Sequence, residues 1–203
     1  MTGRANWKTA LSVVVLSLAA GLSWVVPSRA DEVTDTINEA LQQYKAGSFN
    51  EAAGTLDYAA ELIRQKRGQN LKTLLPEPLR GWTAAEATSQ SFGTAMFGGM
   101  VSAERRYRKE DGSLTVKIVT DSPLLQSMIA VFANPMIAGM GGRELLKIKG
   151  QKALIHYSPE DRKGELNVVI ANKFLVSVEG QGVVREDLVD YASAVAYEKL
   201  GAF

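Results

Sequence analysis

The chain has 203 residues, 22% of them charged, with 23 lysines and arginines against 22 aspartates and glutamates, one histidine and no cysteine. The absence of cysteine excludes a disulfide framework, thiolate chemistry and an acylated lipoprotein N-terminus. The near-neutral balance gives no electrostatic reason to expect nucleic acid as a partner.

The first thirty residues read as a signal peptide. Arg4 and Lys8 form a basic start, Ala10 to Val26 an apolar stretch, and Pro27 with Ser28-Arg29-Ala30 a small-residue cleavage site, so Asp31 is expected as the new N-terminus. The apolar stretch is interrupted by Gly21 and by serines, at the short end for a membrane span. The expected product is therefore periplasmic or secreted, with no membrane span after cleavage. Its removal takes three of the 23 basic residues and no acidic one, leaving 20 against 22 in a mature chain of 173 residues. That length supports one medium domain, or a small domain with an appendage, on a hydrophobic core alone.

Residues 33 to 67 have the pattern of two helices. Ile37, Leu41 and Tyr44 recur at helical spacing, Gly47 interrupts, and Phe49, Ala52, Leu56 and Ala59 resume it. Over residues 37–63 this resembles the turn and second helix of a tetratricopeptide repeat, whose small residues let two helices approach closely. The resemblance implies a protein-binding helical hairpin. Only one copy is present, so the unit has to pack against its own chain, a second protomer or a partner.

The segment 68–82, with Pro76 and Pro78 between Gly68 and Gly81, is the expected linker. After it the period shifts from helical to mainly two. Two strands are predicted around Asp111-Gly112, then a helix capped by Ser122 with Pro123 at its first position. Four short strands follow, separated near Gly150-Gln151, Pro159 to Gly164 and Asn172, and a last helix from about Arg185 to Leu200. The expected fold is α+β: a hairpin over 31–67, then over 83–203 an antiparallel sheet of about six strands with two flanking helices. This element order, ending in a strand, Gly-Gln-Gly and an amphipathic helix, resembles the PsbP-like α/β/α sandwich.

No catalytic set is recognisable. His156 is expected on the strand face opposite Ile155 and Tyr157, partly exposed or hydrogen-bonded rather than a base. Glu110-Asp111 and Glu160-Asp161 read as solvated turns. There is no Gly-x-Ser-x-Gly elbow and no phosphate-binding loop. The chain is expected to be neither an enzyme nor a cofactor protein.

Two windows, 87–103 and 122–142, carry no charge and hold every methionine except the initiator. One reading is packing, with the first window covering an all-round apolar helix over 122–138. A second is a binding groove for an envelope protein or a hydrophobic ligand, in which Met96, Phe97, Met100, Met128, Phe132, Met136 and Met140 make the contacts. A third, a Cu(I) site on the thioether pairs Met96/Met100 and Met136/Met140, lacks a neighbouring histidine, and no metal is expected. The functional expectation is a non-catalytic binding or adaptor protein of the cell envelope. The alternative is a carrier holding a small hydrophobic molecule or lipid in an apolar pocket.

Overall fold

A computed structural model describes residues 32–92, 99–134 and 141–201. Two helices come first, α1 (Glu32–Lys45) and α2 (Phe49–Lys72), followed by β1 (Thr83–Ala84), β2 (Thr88–Ser91), β3 (Val101–Lys109) and β4 (Gly112–Thr120). Then come α3 (Pro123–Ala133), β5 (Arg143–Ile148), β6 (Gln151–Ser158), β7 (Lys163–Ile170), β8 (Phe174–Gln181), α4 (Arg185–Ala194) and α5 (Tyr197–Gly201). The fold is α+β, and all strand pairings are antiparallel. The order is β1-β3-β4-β8-β7-β6-β5, with β2 also paired to β3.

The β3–β4 hairpin and the β5–β8 meander join at the centre through β4 and β8, and α3 carries the chain from the middle of the sheet to its far edge. Ser122 Oγ accepts from Leu124 N at 3.2 Å, which caps α3 with Pro123 in its first turn. Strand alternation gives the sheet an apolar face of Tyr107, Leu114, Val116, Ile118, Leu166, Val168, Val176 and Val178, all fully buried. Leu71 of α2, Leu188 and Tyr191 of α4 and Leu200 of α5 complete this core. The cross-strand pair Gly164 and Gly180 seats Leu188: a Cβ on Gly164 would lie 2.8 Å from Leu188 Cδ1, and one on Gly180 3.0 Å from Leu188 Cδ2.

The structure differs from the sequence expectations in three places. The sheet has eight strands where about six are expected, because the short polar runs Thr83–Ala84 and Thr88–Ser91 both pair with β3. The expected last helix is two, since Val195 is extended with ψ 141° between α4 and α5 and turns Tyr197 into the core. The expected linker begins inside a helix. α2 runs through Gly68, whose bare face lets β2 approach; a Cβ there would stand 3.2 Å from that of Ser89. Residues 73–82 are strapped down by buried Leu74, Leu75 and Trp82. Tyr107 Oη also donates to Pro76 O at 2.7 Å, and Leu79 N donates to Tyr191 Oη at 3.3 Å.

Candidate functional site

The hairpin is held together by small residues. Thr36 and Ala40 of α1 and Ala52 and Ala59 of α2 are the buried positions between the helices, and Gln43 accepts from Thr55 Oγ1 at 2.8 Å. Gly47, at φ 82°, makes the reversal that an L side chain would strain. α1 packs on α2 and makes no comparable contact with another described element. α2 is shared: its first half meets α1, and its second half lies on β2 and β3. There Ser91 Oγ donates to Glu61 Oε1 at 2.6 Å, which with Arg64 at 2.9 Å holds the Glu61 carboxyl below its ordinary value.

With small residues facing inward, the large ones face out. Ile37, Leu41 and Tyr44 recur every three or four residues along α1, and Phe49, Leu56 and Ile63 every seven along α2, each exposing between 42% and 63% of its surface. The rings of Tyr44 and Phe49 meet across the turn with centroids 5.5 Å apart, so the two rows share one side of the hairpin. Ala53 and Ala60 lie between the larger residues of α2. The result is a continuous apolar face on a pair of helices.

The sequence-predicted residues divide. Met96, Phe97, Met136 and Met140 lie outside the described residues. Met128 and Phe132 come together on α3, packed with Val131 against Leu154 and Val169 on the face of the sheet away from the main core. Met100 is not in that cluster; it stands just before β3, its carbonyl accepting from Phe92 N at 2.9 Å. On its outer side α3 leaves Leu124 exposed, and an open cleft of about 300 Å³ forms where Phe132 meets Leu145 and Leu146.

Apart from the buried pair Val119 and Leu175, the rest of that sheet face is polar, which sequence reasoning missed. An open cleft of about 630 Å³ is floored by Ser113, Thr115, His156, Lys163, Glu165 and Glu179. Glu165 and Glu179 are register partners on β7 and β8. Asn167 Nδ2 donates to Glu165 Oε1, and Ser177 Oγ donates to Asn167 Oδ1 at 2.6 Å, a chain in which Asn167 and Ser177 are both buried. His156 is exposed with Nδ1 3.2 Å from Gly142 O, within hydrogen-bond distance. Among the described residues no three His, Asp or Glu side chains are grouped to hold a metal. No helix there is long and apolar enough to cross a membrane.

Comparison with models of known families, with curated proteins and with solved structures found no match.

Proposed function

We propose that this is an exported, non-catalytic binding or adaptor protein of the cell envelope that docks through the apolar face of its helical hairpin. The observation that supports this is where the exposed apolar residues lie. Of the ten large hydrophobic residues exposed among those described, six form this face, and a seventh, Tyr58, lies elsewhere on the hairpin with its hydroxyl donating to Glu32 Oε1 at 3.3 Å. A concentrated apolar patch on a helix pair marks an interaction surface, whereas single exposed residues are ordinary. Helices present such rows to partner helices or grooves, which is the use that the tetratricopeptide resemblance implies. The test is capture from the envelope fraction with wild-type protein and with Leu41→Glu and Leu56→Glu. The reading expects specific partners that both variants lose while keeping wild-type circular dichroism; capture unchanged by both substitutions would refute it.

A second reading, carriage of a small hydrophobic molecule, is favoured by the open apolar cleft at Phe132, Leu145 and Leu146. Its volume of about 300 Å³ is at the lower limit of ligand sites. Solvent extraction and mass spectrometry of the purified protein decide it: a stoichiometric lipid lost in Leu145→Lys supports carriage, and a clean extract ends it.

A further inference from the structure

The geometry of the hairpin face constrains what could cover it. Each helix carries two adjacent apolar stripes, one of small residues used inside the hairpin and one of large residues left outside. A helix with a single neighbour needs only the first. A helix in a four-helix bundle needs both, one stripe for each of two neighbours. The seven-residue recurrence of Phe49, Leu56 and Ile63 keeps the second stripe in phase along α2, as a long helix–helix seam requires.

We propose that a second copy of this chain fills the face, the two hairpins closing into an antiparallel four-helix bundle about a twofold axis. This deepens the reading above and rests on it, since it names the partner of the same surface. Size is the first argument. At roughly 200 Å² for a large side chain, the six residues Ile37, Leu41, Tyr44, Phe49, Leu56 and Ile63 expose about 600 Å² together. Burying that on each of two copies removes about 1,200 Å², where stable protein–protein interfaces begin. A twofold axis makes one patch serve both sides, so the apolar face needs no foreign complement.

The second argument is α1 itself. It has 14 residues, a length at which a helix is marginal in water, and its buried residues are only Thr36 and Ala40. Docking on α2 through small side chains leaves its larger apolar residues in solvent. Pairing supplies the missing cover.

The experiment is light scattering after size exclusion, on the protein purified as the cell processes it. Self-pairing expects twice the chain mass at hundred-micromolar protein, falling toward the single mass on dilution, with a melting temperature that rises with concentration. Leu41→Glu and Leu56→Glu should run at the single mass with unchanged circular dichroism. Leu124→Glu, an exposed apolar position on α3, should stay paired. A wild-type protein at the single mass at every concentration overturns the proposal, as does a dimer that survives both hairpin substitutions. Capture from the envelope then separates the two failures. A monomer whose partners are lost in Leu41→Glu refutes self-pairing and keeps the docking reading, and a monomer whose capture is unaffected refutes both.

Discussion

The carbonyl of Pro76 offers a quantitative test of how the hairpin is fastened to the sheet. It is buried and has two donors, Tyr107 Oη at 2.7 Å and Arg105 Nη1 at 3.3 Å. Tyr107→Phe removes one oxygen, and because Arg105 still satisfies the carbonyl, the cost should be that of one net hydrogen bond, about 1 kcal/mol. Arg105→Ala also loses the bond to Ala85 O at 3.0 Å, and should cost about 1–2 kcal/mol. Its ion pair with Glu77 adds little, since that carboxylate is 83% exposed. The double variant leaves a buried carbonyl with neither donor, whose desolvation penalty of about 1–3 kcal/mol appears only there. Urea unfolding of the four proteins should therefore show a double cost exceeding the sum of the singles by at least about 1 kcal/mol. In thermal melts each kcal/mol corresponds to about 2–4 °C. Additivity within about 0.3 kcal/mol would mean that Pro76 is satisfied in some other way and the account of this anchor is wrong.

Four further outcomes follow from the same geometry. Tyr107, Tyr191 and Tyr197 all have phenols pushed above their ordinary value, chiefly by burial. The unfolded chain ionises them from about pH 10 upward while the folded chain resists, so stability is full below pH 10 and falls above it, by up to about 1.4 kcal/mol per unit for each phenol. In a variant with Tyr44, Tyr58 and Tyr157 replaced by Phe, so that only these three phenols absorb, phenolate absorbance should rise in one cooperative step with loss of circular dichroism, and gradual ionisation in a protein that remains folded would contradict this. Gly112→Ala places a Cβ 2.8 Å from the backbone oxygen of Gly182 and should cost about 1–3 kcal/mol in urea unfolding. Gly54→Ala, inside α2 with nothing within 4 Å of the new Cβ, should instead stabilise by about 0.5–1 kcal/mol. Ser177→Ala removes the donor to the buried Asn167 and should cost about 1 kcal/mol, measured the same way.

Periodicity made much of the architecture readable. The alternation of Leu114, Val116 and Ile118, the Ser122-Pro123 start and the break at Gly47 each act through neighbours in the chain. What failed was local evidence applied to non-local questions. Gly68 and the prolines at 76 and 78 read as punctuation, yet Gly68 is bare because a strand lies on it, and Pro76 is held by a tyrosine 31 residues away. The helical period located the row Ile37, Leu41 and Tyr44 but could not say which of two neighbouring stripes turns inward. The small stripe won because α1 lies close to α2. Glu165 and Glu179 are 14 positions apart and meet only through the register of β7 with β8, which nothing in either strand announces. The methionines drew attention by composition, but Met100, Met128 and Phe132 do not make one group.

α2 has 24 residues, which at about 1.5 Å each make a rod about 36 Å long with no break in it. Its first two-thirds carry the apolar row and from Glu61 onward it is fastened to β2 and β3, so the molecule is a bracket rather than two parts on a tether. The exposed apolar row is thereby held at a set angle to the polar sheet face, and twist applied to one end arrives at the other. The phase of the rod therefore matters as much as its side chains: each residue inserted between Ala59 and Glu61 would turn Phe49 and Leu56 by about 100° about the helix axis relative to β2 and β3.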